Sequence, residues 1–350
     1  MLDTRLAAPQ ESDTLTVVPV VASNAGESRW MLLSDAVATG ALRITEVGSG
    51  TVPRLLAKNA AALPVLVLDG EQLIGARQNR TTNRSILLGA GTETEIPVSC
   101  MEQGRWHFAS DTFQPAPQHS PVRVRRKARE IEASAVSHGY APADRDLAEA
   151  QGAVWDEIAS LSKDLGVSSP TGALDHTYVQ RGGDIDAHTS RFMLVPGQVG
   201  IIGLVRGEPV GLDIIGDPSL YSRVHGRLIR GYILDALDTA GSGSRATSDI
   251  GGERPGAAGR TSSHQRQHTT TARAFFDTVM HAPRTVAPSV GIGQYSVLSG
   301  RVIGGDLTDD SEETPHVAHL SAFPAVGRDA SDPARPIDPP LPPPSQRRRR

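Results

Sequence analysis

The sequence predicts an α+β fold in which a β-rich N-terminal half, built from hairpins, packs with several helices. Three observations predict this class. Short apolar and β-branched runs separated by turn residues continue up to about Phe113. An apolar stripe at helical spacing follows between residues 145 and 165. Paired strands then return around glycine-containing turns, so strands and helices are segregated along the chain rather than alternating.

The elements of the first half are predicted from local patterns. The β-branched run 15–21 predicts the first strand. A short helix is expected over residues 32–39 because Gly40 provides a C-terminal stop. The remaining predicted strands are 42–47, 53–58, 64–68, 85–88 and 93–99. The strand 64–68 runs into Asp69–Gly70, which is a strong signal for a two-residue hairpin.

The middle of the chain is predicted to be helical. One helix is expected to follow Pro121 and to cover residues 123–137. A second is expected over residues 145–165, where apolar side chains recur at intervals of three, four and seven residues until Gly166 ends the pattern. Asp217 followed by Pro218 predicts the start of a third helix, because aspartate caps helix N-termini and proline is favoured in the first turn.

The C-terminal part of the prediction contains further hairpins. Strands 198–204 and 209–215 are expected to meet around Arg206–Gly207. After a helix over residues 272–280, strands 296–298 and 301–307 form another hairpin, and residues 316–323 form the last strand.

Three segments carry too little apolar side-chain area to support a packed core. They are residues 1–14, an insertion at about 239–271 that is rich in glycine, serine and threonine, and a proline- and arginine-rich tail, 325–350. The sequence therefore predicts one α+β domain over residues 15–324, interrupted by a disordered insertion and flanked by disordered ends.

Composition excludes several functional classes. The 350 residues carry a formal net charge of −4, which gives no overall basic field for a nucleic acid or an anionic membrane. A single cysteine excludes a disulfide framework and a cysteine-rich zinc site. No apolar run approaches the length of about 20 residues that a membrane span needs. A cytoplasmic protein is the resulting expectation.

The densest group of hydrogen-bonding side chains lies between Glu71 and Asn83. Within it, Gln78, Asn79 and Arg80 place two amides and a guanidinium at consecutive positions. Amides donate and accept hydrogen bonds, and the planar guanidinium suits a phosphate or a carboxylate. Two interpretations are open at this point: a nucleotide-binding loop, or a solvated loop whose side chains cap backbone groups.

A second polar group contains the single cysteine, Cys100, followed by Glu102, Gln103, Arg105 and Trp106. A carboxylate near a thiol raises the pKa of the thiol, so this environment does not favour a nucleophile. We therefore expect Cys100 to be buried and unreactive, as free cysteine usually is.

Signals for other kinds of site are weak. No G-x-S-x-G motif follows a strand, and no phosphate-binding glycine motif is present. His264 and His268 have i,i+4 spacing but fall within the predicted disordered insertion, and His316 and His319 would point to opposite faces of a strand. We predict neither a metal nor a cofactor. The basic run 123–129 is expected to form a solvated helix face.

The stretch 68–106, LDGEQLIGARQNRTTNRSILLGAGTETEIPVSCMEQGRW, resembles the signature of the first type of ARG and rhodanese-phosphatase-associated protein domain. ARG abbreviates ADP-ribosylglycohydrolase. The resemblance continues through segments 169–174, 197–200, 211–216, 230–236 and 317–323. The residues that match the central signature are Glu71, Gln78, Asn79, Arg80, Asn83, Cys100, Glu102, Gln103, Arg105 and Trp106.

The resemblance implies a place in NAD or ADP-ribose processing, with a small-molecule nucleotide as ligand and ADP-ribose-processing proteins as possible partners. Under this hypothesis Arg80 and Arg105 hold phosphates and Trp106 stacks on a base. If there is turnover, Glu71 or Glu102 serves as general base, since a carboxylate can activate water.

The remaining matching residues complete the hypothetical site. Asn79 and Gln103 orient the ribose or base, and Gln78 and Asn83 contribute further polar contacts. The alternative hypothesis is a noncatalytic protein-interaction module, in which the polar signature is structural and joins the β-rich half to the helical half.

Overall fold

The computed structural model describes residues 3–23, 29–48, 53–104, 109–137, 144–240 and 257–325. Within these ranges the chain forms seven helices and eighteen strands in three sheets, which confirms the α+β class. The strands are β1 (Thr4–Leu6), β2 (Gln10–Ser12), β3 (Leu15–Ala22), β4 (Met31–Leu32), β5 (Leu42–Glu46), β6 (Arg54–Asn59), β7 (Val65–Val67), β8 (Glu71–Gly75), β9 (Arg80–Thr82), β10 (Ile86–Leu88), β11 (Glu93–Cys100), β12 (Phe113–His119), β13 (Gln198–Val205), β14 (Glu208–Ile215), β15 (Arg284–Ala287), β16 (Gln294–Leu298), β17 (Val302–Asp309) and β18 (His316–Pro324). The helices are α1 (Leu33–Ala38), α2 (Val122–Ser137), α3 (Asp144–Asp164), α4 (Leu174–Gln180), α5 (Gly182–Thr189), α6 (Pro218–Ala240) and α7 (Ala257–Met280).

The largest sheet has nine antiparallel strands in the order β1-β3-β13-β14-β18-β17-β16-β15, with β2 also paired to β3. A six-stranded sheet has the order β12-β8-β9-β11-β6-β5, and a three-stranded sheet has the order β10-β7-β4. Strand β7 belongs to the three-stranded sheet, and β8, which follows it after the turn at Asp69–Gly70, belongs to the six-stranded sheet. The chain therefore crosses from one sheet to the other at this turn.

Both faces of the nine-stranded sheet are covered, as the period of two in its strands requires. On one face Val17 and Ile201 join the core cluster that includes residues of α2 and α6. On the other face their neighbours Val18 and Ile202 pack in the cluster that contains Phe275 of α7. The sheet is thus enclosed between α7 on one face and α2 and α6 on the other.

The approach of α6 to this sheet depends on a glycine. A Cβ atom at Gly203 of β13 would lie 2.4 Å from the ring of Tyr232, so only glycine leaves room for that ring. Helix α6 begins as predicted, because the Asp217 carboxylate accepts hydrogen bonds from the backbone N–H groups of Ser219 (2.7 Å) and Leu220 (3.2 Å).

Two hairpin predictions are confirmed and one is wrong. Strand β13 pairs with β14 around Arg206–Gly207, and β16 pairs with β17. The Asp69–Gly70 turn exists, with Gly70 at φ +81°, but it does not join a hairpin. Strand β7 pairs with β4 and β10, whereas β8 pairs with β9 and β12. Local turn chemistry specifies the reversal but not the strand that each arm pairs with.

The prediction of a disordered segment over residues 1–14 is wrong for β1 and β2, which both pair with the same edge of β3. Edge strands form main-chain hydrogen bonds and need few apolar side chains, so composition alone did not reveal them. The predicted tail lies outside the described residues from position 326 onward.

Part of the predicted disordered insertion is helical in the structure. Helix α6 continues to Ala240 and α7 begins at Ala257, so only residues 241–256 of the predicted insertion lie outside the described residues. The polar first half of α7 is supported by its apolar second half, where Ala272, Phe275, Phe276 and Val279 are buried. His268 lies on this helix, with Nδ1 2.9 Å from Glu11 Oε1.

Over the described residues no helix combines the length and the apolar character that crossing a membrane requires.

Candidate functional site

The centre of the molecule contains a buried group of charged and imidazole side chains that come from four distant parts of the sequence. Asp69 follows β7, Arg125 lies on α2, Asp213 on β14 and His319 on β18. Each of these residues is at most 4% exposed. We call them the charged cluster.

Arg125 lies between the two carboxylates. Its Nη2 atom is 2.8 Å from Asp69 Oδ1 and 2.5 Å from Asp213 Oδ1, and its Nη1 atom donates to Asp213 Oδ2 at 3.0 Å. The Asp69–Gly70 turn makes this position possible, because a Cβ atom at residue 70 would lie 2.7 Å from Arg125 Cδ. Glycine at position 70 therefore has two effects: it permits the positive φ of the turn, and it leaves room for the Arg125 side chain to reach the carboxylates.

Hydroxyl groups complete the hydrogen bonding of the carboxylates. Tyr232 donates to Asp213 Oδ2 at 2.8 Å, and Ser321 donates to Asp69 Oδ2 at 3.1 Å. The His319 ring lies beside the Asp213 carboxylate, with Nε2 3.3 Å from Asp213 Oδ1. Its other nitrogen, Nδ1, is 2.5 Å from Ser85 Oγ. Each charged oxygen thus has a partner, which offsets part of the large cost of burying ions.

The electrostatics hold both carboxyl groups in their ionised form. Burial favours the neutral acid, but the attraction of Arg125, followed by that of His319, outweighs it for Asp69 and lowers the pKa. For Asp213, burial is again outweighed, by Arg125 and by the hydrogen bond with His319, so the pKa lies well below its ordinary value. Because these pKa values are depressed on folding, the carboxylates stabilise the protein above their unfolded pKa, and this contribution is lost as the pH falls below about 4.

His119 adds a pH dependence at a higher pH. Its Nε2 atom donates to the backbone carbonyl of Asp69 at 2.6 Å, and burial, together with the charges of Arg125 and Arg227, lowers its pKa to about 3. The neutral ring is therefore favoured in the folded protein, while the unfolded chain takes up a proton near pH 6.5.

We therefore predict that the free energy of unfolding decreases as the pH falls from about 6.5 toward 3, because protons bind preferentially to the unfolded chain. His119→Gln should flatten this dependence between pH 7 and pH 5, which urea unfolding at a series of pH values measures. His316→Gln, at a surface histidine of β18 with a 38% exposed side chain, is the matched control. Equal slopes for His119→Gln and the wild type would contradict the assignment.

A cleft opens beside the charged cluster, between the β8–β9 hairpin and helices α2 and α3. Its volume is about 230 Å³, including its mouth. It is lined by Asp69, Gly70, Thr81, Thr82, Asn83, Ser120, Val124, Arg125, Ala128 and Val154.

The Thr81 and Ser120 hydroxyls are hydrogen-bonded to each other at 3.0 Å. The Asn83 Oδ1 atom is buried and has no hydrogen-bond partner among the described residues. The lining is thus rich in the groups that recognise sugar hydroxyls.

Of the candidate site residues that the structure describes, Asn83 is the one that lines this cleft. Gln78 and Arg80 are buried instead at the junction of β9 and β11, at 5% and 0% exposure. Arg80 Nη1 donates to Gln78 Oε1 at 3.2 Å, and Arg80 Nη2 lies 3.6 Å from Glu46 Oε1. The solvated-loop interpretation of this segment is wrong, because each of these groups lies inside the fold.

The two candidate general bases occupy different places. Glu71 is fully buried, and its carboxylate is paired with Arg227 of α6. Glu102 is 5% exposed; its backbone carbonyl accepts a hydrogen bond from Gln78, and its carboxylate faces the Asn79 backbone N–H at 3.5 Å. Glu102 thus groups with Gln78, while Glu71 lies at the start of β8, directly after the cleft residue Gly70.

Asn79 and Gln103 lie apart from the cleft lining. Asn79 accepts a hydrogen bond from the Gly75 backbone N–H at 3.3 Å, and Gln103 is exposed, with its backbone N–H bonded to Thr171. Arg105 and Trp106 lie outside the described residues, so the roles proposed for them stay predictions.

Cys100 is buried, as predicted, at 0% exposure, and its thiol donates to Gln78 Oε1 at 3.0 Å. Burial raises the pKa of this thiol to about 11. We predict that the native protein does not react with a thiol-selective disulfide reagent at pH 8, whereas the urea-unfolded chain releases one equivalent of chromophore. Rapid modification of the folded protein would contradict this placement.

The charged cluster has the donor types of a metal site. One ligand atom each from Asp69, Asp213 and His319 lies within 4.8 Å of the others. However, the Arg125 guanidinium already lies between the carboxylates and supplies the positive charge that a cation would bring. We therefore describe the cluster as ion-paired and assign no metal to it.

The sequence analysis missed the charged cluster, although it contained two signals. Asp213 and His319 each stand within an apolar strand, between Leu212 and Ile214 and between Ala318 and Leu320. An ionisable residue flanked in this way by buried neighbours is unusual, because its burial needs a partner. Arg125 was assigned to a solvated helix face, and the structure corrects this: the helix turns Arg125 and Arg129 inward, at 4% and 2% exposure.

A family model described as the ARG and Rhodanese-Phosphatase-superfamily-associated Protein domain matches residues 3–323. The matched range includes all four residues of the charged cluster and the whole cleft lining. No curated protein and no solved structure matches the chain.

Proposed function

The chain belongs to the ARG and rhodanese-phosphatase-superfamily-associated protein domain family, and on this basis we propose that it binds ADP-ribose or another NAD-derived nucleotide in the cleft beside the charged cluster. The family name associates the domain with proteins in the area of ADP-ribose and NAD chemistry. The proposed ligand is a small-molecule nucleotide, the proposed compartment is the cytoplasm, and ADP-ribose-processing proteins are the proposed partners.

The observation that carries this proposal is the burial of two carboxylates, a guanidinium and an imidazole next to an open polar cleft. Replacing a buried ion group with apolar side chains is often neutral or stabilising, so stability alone gives little reason for such a group. Strongly perturbed pKa values beside a cleft are typical of functional sites. The depressed pKa values of Asp69 and Asp213 fit that pattern.

The lining of the cleft suits a ribose. Ribose hydroxyls can donate to a carboxylate or an amide oxygen, and Asp69 and the unpartnered Asn83 Oδ1 offer both. Thr81, Thr82 and Ser120 supply hydroxyls that both donate and accept.

The size of the cleft limits what it can enclose. Its volume of about 230 Å³ includes open solvent at the mouth, and the enclosed part is close to the space of a single water molecule. We therefore propose that a ribose lies across the mouth of the cleft and inserts one hydroxyl group, while the rest of the nucleotide lies outside it. The phosphate contacts expected from Arg80 are not part of this proposal, because that side chain is buried elsewhere.

A noncatalytic interaction module is the second candidate function. It is favoured by the burial of Gln78, Arg80 and Glu71, which use their polar groups within the fold. In that case the signature stabilises the packing of the β-rich half, and the cleft has no nucleotide ligand.

A thermal-shift screen of the full chain against ADP-ribose, NAD, AMP, ADP and inorganic phosphate separates the two functions. A ligand at 100 times its dissociation constant stabilises the folded protein by about 2.7 kcal/mol, which such a screen detects. We expect stabilisation by the ligands that contain ADP-ribose, and none by phosphate. Stabilisation by none of the five would favour the interaction module. Release of AMP with ribose 5-phosphate from ADP-ribose, or of nicotinamide from NAD, would reveal turnover.

A further inference from the structure

A second group of reactive side chains shares no residue with the charged cluster. Ser12 ends β2, Asp13 follows it in the turn before β3, and His188 lies near the end of α5. The turn and α5 form one wall of a hollow. Its volume of about 260 Å³ includes open solvent at the mouth, and the enclosed part has room for a group about the size of a methyl. Neither the cleft nor the proposed nucleotide site includes any of these three residues.

The three side chains have the connectivity of a nucleophile, a base and an orienting carboxylate. The Ser12 hydroxyl is 2.8 Å from His188 Nδ1. The other ring nitrogen, Nε2, is 3.5 Å from Asp13 Oδ2. A hydroxyl within hydrogen-bond reach of an imidazole whose second nitrogen faces a carboxylate is the arrangement that activates serine for attack.

The hollow beside Ser12 is apolar. Besides Ser12, Asp13, Thr14 and His188, it is lined by Leu15, Phe192, Ile233, Ala236 and Leu237. Such a lining favours an alkyl group and gives no partner to a charged one. Because Ser12 and His188 are only partly buried, the hydroxyl can be reached from the open side of the hollow.

We propose that Ser12 and His188 form a second site that hydrolyses esters of short, apolar acyl groups. Ser12 Oγ attacks the acyl carbonyl carbon while its proton moves to His188 Nδ1. The ester C–O bond then breaks, and the leaving alcohol takes that proton. Water hydrolyses the acyl-serine through the same imidazole, which returns a proton to Ser12 and releases the acid.

The hairpin turn supplies candidate donors for the oxyanion. Pairing between β2 and β3 ends at Ser12 and Leu15, so the backbone N–H groups of Asp13 and Thr14 lie outside the ladder. Asp13 adopts φ +49°, a conformation uncommon for a residue other than glycine. A two-residue hairpin turn requires such a conformation, and aspartate tolerates it.

Asp13 is a positioning residue, because it acts through His188. Its side chain is 76% exposed, and ion pairs at such positions contribute little. We therefore expect Asp13→Asn to lower kcat by no more than about fivefold at unchanged KM.

The test combines covalent labelling with turnover of the full chain. An alkyl fluorophosphonate should form one adduct on Ser12, located by peptide mass mapping, and p-nitrophenyl acetate, whose acyl group ends in one methyl, should be hydrolysed. Ser12→Ala should abolish both, and His188→Gln should lower the labelling rate by about 100-fold or more. Ser222→Ala, at an exposed serine of α6, is the matched control and should label like the wild type.

Two outcomes would overturn the proposal. One is a wild-type protein that forms no adduct and shows no hydrolysis above buffer. The other is labelling or hydrolysis that persists in Ser12→Ala, which would assign it to another residue. Thermal melts of each variant separate loss of the site from loss of the fold, and His188→Gln supplies an independent measurement if Ser12→Ala unfolds.

Discussion

Replacing Arg125 with methionine should lower the free energy of unfolding by about 3–5 kcal/mol, because one guanidinium compensates two buried carboxylates. Methionine keeps most of the volume of the side chain but leaves Asp69 and Asp213 facing each other without a cation. Urea unfolding at pH 7 measures the loss. Arg126→Met is the matched control, since that neighbour on α2 has a 28% exposed side chain and faces Glu130 at 3.7 Å.

A further variant addresses the case in which Arg125→Met does not fold. Adding Asp69→Asn and Asp213→Asn to Arg125→Met removes all three charges together, so no uncompensated ion remains. We expect this triple variant to recover much of the lost stability, since removing a whole buried ion group costs less than breaking it. Equal stability of Arg125→Met and Arg126→Met would contradict the burial of the charged cluster.

Arg80→Met should also destabilise the protein strongly, with a loss of about 3 kcal/mol or more in the free energy of unfolding. The Arg80 side chain is fully buried, donates to Gln78 and faces Glu46, which becomes an unpaired buried carboxylate when the guanidinium is removed. Arg54→Met in β6 is the control, because its 50% exposed side chain pairs with Glu95 at the surface. Surface pairs of this kind contribute at most about 1 kcal/mol.

The same pair of variants tells the two roles of the signature apart. If Arg80 stabilises the fold, Arg80→Met melts at a lower temperature than Arg54→Met in the absence of any ligand. If Arg80 instead holds a phosphate, as the sequence alone suggested, Arg80→Met and Arg54→Met have similar stability and only ligand binding differs. The structure predicts the first result.

The sequence predicted those parts of the fold that local signals determine. Asp217 and Pro218 start α6 because capping depends on a few consecutive residues. The glycine turn between β13 and β14 was predicted for a similar reason. Asp69–Gly70 shows the limit: the turn was predicted, but its arms enter different sheets, since pairing depends on partners far along the chain.

The site was less accessible to sequence reasoning for the same physical reason. Asp69 and His319 are 250 positions apart in the sequence, and only the packing of the sheets and helices brings them together. The segment around Gln78 and Arg80 attracted attention because it is polar, and polarity alone does not distinguish a ligand site from a buried hydrogen-bond network. Asn83 was the predicted residue that the fold placed beside the cleft.

The most direct test of the proposed nucleotide site is a calorimetric titration of ADP-ribose into three proteins: the wild type and the variants Asn83→Ala and Gln103→Ala. The structure predicts binding to the wild type, at least tenfold weaker binding to Asn83→Ala, and unchanged binding to Gln103→Ala, because Asn83 lines the cleft and Gln103 is exposed outside it. A tenfold change corresponds to about 1.4 kcal/mol. Absence of heat with the wild type, or loss of binding in Gln103→Ala alone, would contradict the assignment of the cleft.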